Sequence, residues 1–211
     1  MAQQTVETLN AVFSGREQTH RKIVTTCPHC MNTLGREYPE LEGHYEVVHH
    51  TQLLNRLVRA GKLTPVKPAD DSGPAVTYHD PCYLGRHNKV YEAPRELVGA
   101  ARTGVTEMPR HADRSLCCGA GGARMWMEEK IGKRINLERV DEALDTGAEK
   151  IATGCPFCRT MLTDGIDQRQ SEAKGVGVTV RDVSQLLLES VRRGSTSDGP
   201  KAEAVPQDQP S

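Results

Sequence analysis

The chain has 211 residues, 36% hydrophobic and 26% charged, with a formal net charge of −1. That balance suits a soluble protein with a real core. Its interspersed charges and 4% aromatic content exclude the basic or base-stacking face of a nucleic-acid binder.

The first residues, MAQQTVETLN, lack the basic and apolar regions of a secretion signal. No apolar run approaches the roughly 18 residues of a membrane span. The expected compartment is the cytoplasm, where seven cysteines read as ligands or redox groups rather than a disulfide framework.

An internal repeat organises the chain. Residues 22–34 (KIVTTCPHCMNTL) and 150–162 (KIATGCPFCRTML) are identical at seven of 13 positions, and the match resumes at Gln52-Leu53-Leu54 and Gln185-Leu186-Leu187. In each copy a short apolar run predicts a buried strand before the CxxC, with helical spacing after it. A second strand follows, at Tyr45–His49 and at Gly177–Arg181, and then a closing helix. In the second copy Asp182 and Gln185 predict an N-terminal cap, with Gly194 at the helix end. Leu53, Leu54, Leu57 and Val58 form the apolar stripe of the first copy's helix, which Gly61 ends.

Between the copies, residues 62–74 are rich in Pro, Gly and Asp and predict a linker. Ala75–His79 predicts a strand, Pro94–Arg102 a helix and Val105–Met108 another strand. Residues 123–146 predict the longest helix, with Met127, Ile131, Ile135, Val140 and Leu144 on one face and a Glu129–Lys133 pair. The expected fold is α/β: parallel-sheet units with flanking helices, a partial copy over 1–61 and a complete one over 75–193. Residues 194–211 predict a disordered tail.

Cys82 follows a strand, 34 residues precede the Cys117-Cys118 pair, and 36 more precede the CxxC of Cys155 and Cys158. Each group sits at or just past a predicted strand end, and in a parallel sheet those ends share one edge. Thiolates are soft ligands for iron–sulfur clusters, zinc or copper(I). A CxxC at a helix start lowers thiol pKa through the backbone N–H groups and the helix dipole. Gly119, Gly121 and Gly122 let the backbone approach a bulky inorganic core.

The pattern C-x34-CCG-x36-CxxC, with HDPCYLGRHN and SLCCGAGGARMW around it, resembles the CCG, or cysteine-rich, domain family. That family includes a subunit of heterodisulfide reductase, the glycolate oxidase iron–sulfur subunit and lactate utilisation protein A. The wording looks closest to the C-terminal part of actinobacterial iron–sulfur reductases related to heterodisulfide reductase. The resemblance implies that Cys82, Cys117, Cys118, Cys155 and Cys158 hold a [4Fe–4S] cluster of the non-cubane type, with zinc as the alternative. It implies an oxidoreductase or a subunit of one, passing electrons to or from a disulfide, quinone or flavin partner. Membrane association would then run peripherally, through a partner. The competing reading is a non-catalytic zinc-binding structural or assembly module. Family members usually carry two copies, and the earlier cysteines of the first would fall before residue 1. The resemblance thus implies the C-terminal part of a longer architecture, or a trimmed descendant of one. Cys27 and Cys30 remain as a second, separate candidate site.

Other residues carry less. His79 and Asp80 either support Cys82 from behind or serve only the His-Asp-Pro turn. His49, His50, His87 and His111 have no ligating spacing. Trp126 and its neighbouring methionines read as packing. The GAGG run lacks the Gly-Lys-Ser/Thr ending of a phosphate loop. Cys117→Ser or Cys118→Ser is expected to abolish the cluster's EPR signal, while Cys27→Ser leaves it nearly intact. Equal loss from all three would show that the partial copy shares the site.

Overall fold

The structure, a computed structural model, describes residues 1–15, 21–68, 75–102, 104–128 and 131–195. The first copy contains α1 (Ala2–Phe13), β1 (Lys22–Thr25), α2 (Pro28–Asn32), β2 (Glu46–His49) and α3 (His50–Arg59). The second contains β3 (Val76–His79), α4 (Glu92–Ala101), α5 (Ile135–Leu144), β4 (Lys150–Thr153), α6 (Pro156–Ser171), β5 (Thr179–Asp182) and α7 (Val183–Ser195).

The fold is α/β with parallel strands throughout. β1 pairs with β2, and β3, β4 and β5 form a second sheet in that order. In that sheet the last rung joins His79, Thr153 and Asp182. Alternation along the strands divides the core. Val76, Tyr78 and Ala152 face α4 and α7, packing on Leu97, Val98, Val183 and Leu186. Ile151 and Val180 face α5 and α6, packing on Val140, Leu162 and Ile166. Helices on both faces bury Thr77 and Tyr78 of β3, and Ile151 and Ala152 of β4, alike.

The repeat is visible in the caps. The Gln52 side chain accepts from the His49 N–H at 3.1 Å, and Gln185 accepts from the Asp182 N–H at 3.0 Å. His49 accepts from the Thr51 N–H, as Asp182 does from that of Ser184. The copies also bind each other: the His50 ring meets Asp182 at 3.0 Å, and Arg59 pairs with Glu96.

Several expectations need correction. The helix expected over 123–146 begins only at Ile135. Ala123 and Gly132 adopt left-handed φ of 61° and 72°, which an α-helix cannot contain. Met127 and Ile131 are consequently exposed rather than on a core face. Residues 129–130, and so the Glu129–Lys133 pair, lie outside the described residues; Lys133 pairs with Glu138 and Asp141. The strand expected at Val105–Met108 shrinks to one parallel bridge, Val76 to Val105, before Pro109, which has no N–H to extend a ladder. The predicted linker is packed in its first half, where Val66 bonds Ser190, and 69–74 lie outside the described residues. α7 reaches Ser195; the rest of the predicted tail, 196–211, is likewise outside them.

His49 is fully buried. Burial first, and then the neighbouring His50, push its pKa from the ordinary 6.5 down to about 4. Between those values the unfolded chain holds a proton that the folded chain does not, so stability falls as pH drops from 6.5 toward 4. The slope is about 1.4 kcal/mol per pH unit for one such group. His49→Asn, which keeps a capping oxygen, is expected to flatten this acid limb in urea-unfolding midpoints.

Candidate metal centre

Three chain segments deliver cysteines to the carboxyl edge of the second sheet. Cys82 lies three residues past the end of β3, at the start of a π-helical turn over Tyr83–His87. Its loop is pinned by Asp80, only 2% exposed. Arg95 donates to both Asp80 carboxylate oxygens at 2.7 and 2.8 Å, and the Ala112 N–H donates at 2.8 Å. Ser115 Oγ donates to the Asp80 carbonyl at 3.2 Å, and Arg86 donates to the Ser115 carbonyl at 2.7 Å. These bonds tie the Cys82 loop to the segment that runs into Cys117 and Cys118.

Gly119 follows with φ of 87°, a conformation that favours glycine. Its N–H thereby points back at Cys117 Sγ, 3.3 Å away. A Cβ here would lie 3.2 Å from that of Ile135, so the turn is also tight against α5. Cys155 is the N-cap of α6, Pro156 opens the helix, and Cys158 is buried in its first turn. Both sulfurs therefore lie at the positive end of a 16-residue helix, which favours thiolates.

The five sulfurs converge. Thiol contacts run from Cys82 to Cys117, on to Cys118, to Cys158 and to Cys155. Cys27 extends the series, touching Cys155 from the first copy. S–H donation from Cys118 and then Cys82 holds Cys117 well below the ordinary thiol range. Donation from Cys158 and then Cys27 does the same for Cys155. The donors move the opposite way: contact with Cys117 pushes Cys118 up to about 12. Packed thiols must share protons in this manner, and a soft cation replaces those protons on binding. Cys30 is exposed.

His79, at the end of β3, lies beside this group. One of its ring nitrogens and the Sγ atoms of Cys118 and Cys158 lie within 4.8 Å of one another. Its Nδ1 accepts from Arg139 Nε at 3.0 Å. Burial, followed by repulsion from Arg139, pushes its pKa down to about 3, so the ring is neutral. His29 also reaches the sulfurs, with its Nδ1 3.6 Å from Cys27 Sγ and its ring in contact with Cys155, whereas His49 and His50 serve the cap and the contact between copies, His87 stacks on Tyr83, and His111 meets the Met108 carbonyl.

A cavity of about 300 Å³ opens next to the sulfurs, lined by His29, Gly121, Met125, Trp126 and Phe157. Met125 and Ala120 pack on the buried group of Cys118, Cys155, Cys158 and Met161. Trp126 is 80% exposed, so the packing role expected for it does not hold. Sequence reasoning missed His29, which contacts Tyr83 and Phe157 at ring separations of 4.2 and 5.6 Å. The repeat carried the signal, because His29 and Phe157 hold the same place in CPHC and CPFC.

Arg95→Ala is expected to leave the buried Asp80 carboxylate unpaired. The loss should be about 3–5 kcal/mol, read from urea-unfolding midpoints. A loss under about 1 kcal/mol, the range of an exposed pair, would show that the pinning of the Cys82 loop lies elsewhere.

Comparison with known proteins agrees with this geometry. Residues 76–163 match the CCG cysteine-rich domain. The chain is 43% identical over 182 residues to the probable iron-sulfur-binding oxidoreductase FadF of Bacillus subtilis, covering 86% of this chain and 25% of that protein. It is 44% identical over 178 residues to the EtfAB:quinone oxidoreductase of Syntrophomonas wolfei, covering 81% and 24%. It is 35% identical over 176 residues to a subunit of the dihydromethanophenazine:CoB--CoM heterodisulfide reductase of Methanosarcina barkeri, covering 81% and 41%. The chain thus spans about a quarter of the length of the first two relatives.

Proposed function

Because the chain belongs to the CCG cysteine-rich domain family, we propose that Cys82, Cys117, Cys118, Cys155 and Cys158 hold an iron–sulfur cluster through which it transfers electrons. The observation that carries this reading is the run of sulfur contacts built from three distant segments, buried at Cys118, Cys155 and Cys158 and half-buried at Cys82 and Cys117. All five donors are soft, and they outnumber the four of a structural zinc site. Five ligands also fit a [4Fe–4S] cluster of the non-cubane type. When bound, the cluster supplies one-electron chemistry. The chain's own part is to supply the thiolates, hold them through the Asp80 network and the start of α6, and exclude water from Cys155 and Cys158, which are at most 3% exposed.

The open cavity beside the sulfurs gives a partner an approach to this edge. A disulfide, quinone or flavin partner fits this reading, as part of a larger redox enzyme. The relatives' names support such a role, since they include an iron-sulfur-binding oxidoreductase and a quinone oxidoreductase. Among the described residues no helix is long and apolar enough to cross a membrane. The cytoplasm suits a chain whose seven cysteines are free thiols.

The test is anaerobic purification of the full chain, followed by iron, acid-labile sulfide and zinc analysis and by EPR. Iron with matching sulfide and a reducible EPR signal is expected. Stoichiometric zinc without iron or sulfide would replace this reading with that of a structural module.

A further inference from the structure

The ring of His79 holds a position that the iron–sulfur reading leaves unexplained and on which a further inference rests. Arg139 is fully buried, and its guanidinium is fixed from four directions. Besides His79 Nδ1, it donates to the Arg110 carbonyl and Glu142 at 2.7 Å and to Ser115 Oγ at 3.3 Å. A guanidinium has donors only, so Nδ1 must present its lone pair. In a neutral imidazole the proton then sits on Nε2. His79 is fully buried, and Nε2 has no hydrogen-bond partner among the described residues. An unpaired buried donor is costly. Such a group beside a binding site points to an acceptor that arrives with the ligand. A ring nitrogen of His79 lies within 4.8 Å of the sulfurs of Cys118 and Cys158.

We propose, on the premise of the iron–sulfur reading, that His79, locked by Arg139 in its Nε2–H form, donates a hydrogen bond to sulfur of the bound cluster or of its cysteine ligands, and is a positioning residue rather than an iron ligand. Nε2 has no lone pair to offer a metal while Arg139 donates to Nδ1. A donor aimed at sulfur stabilises the more negative, reduced state and so raises the reduction potential.

The test uses the anaerobically purified full chain, with iron and sulfide measured first. ENDOR on protein labelled with ¹⁵N-histidine is expected to give a weak ¹⁵N coupling and an exchangeable-proton coupling that disappears in D₂O. His79→Phe is expected to keep iron and sulfide and to disfavour reduction by about tenfold, a drop of about 59 mV for one electron. His79→Gln, which keeps an N–H donor, is expected to recover part of that shift. A strong coupling from directly bonded nitrogen would overturn the inference, as would an unchanged potential in fully loaded His79→Phe. If that variant does not fold, the ENDOR of the parent protein decides. Protein without iron or sulfide overturns the cluster reading and this inference together, whereas full iron without the couplings overturns this inference alone.

Discussion

The parallel register of β3, β4 and β5 is the constraint on which the rest depends. The rung of His79, Thr153 and Asp182 ends all three strands at one level. Whatever follows each strand then emerges on the same edge. Cys82 and Cys155 come within three residues of that rung, and Cys117 and Cys118 are brought to it by the bonds around Asp80 and Ser115. A slip of one residue would exchange the two faces of a strand. Tyr78 and Ile151 would then trade one helical layer for the other, so core packing and sulfur convergence share one determinant.

The partial copy is attached by the same chemistry that shapes the whole one. His49 and Asp182 are equivalent caps, and each is drawn into the contact between the copies: His50 bonds Asp182, while His49 lies against Gly154. A Cβ at Gly154 would sit 3.3 Å from the His49 ring and 3.4 Å from Thr51. This close approach seats the first copy on the residue just before Cys155, which Cys27 of that copy touches. Two CxxC turns, each with a proline at its helix start, thus face one another.

Much of this was legible in the sequence because it is local. Short apolar runs gave strands, D-x-x-Q gave the α7 cap, and cysteine spacing singled out five of the six sulfurs in contact, with Cys27, read as part of a separate site, the sixth. What escaped depends on distant partners. Arg139 sits in LERVDEA, where an arginine reads as exposed; its burial is decided by His79, Ser115 and the Arg110 carbonyl. The helical pattern across 123–146 was apparent but was interrupted by backbone reversals at Ala123 and Gly132. α1 gave little signal because it buries only Val6. Its seat on the fold, through Tyr45 to Asn10 at 3.1 Å, is likewise non-local.

The two intervals between the cysteine groups, 34 and 36 residues long, are each fastened at both ends to a single point. Any bond that joins those sulfurs acts as a cross-link closing two long loops, and its effect reaches the denatured ensemble as much as the native one. Stripping the sulfurs of whatever they bind therefore does more than empty a site. It would open those two closures, while the hydrogen bonds around Asp80 and Ser115 and the two apolar layers still hold the Cys82 loop and the strands together.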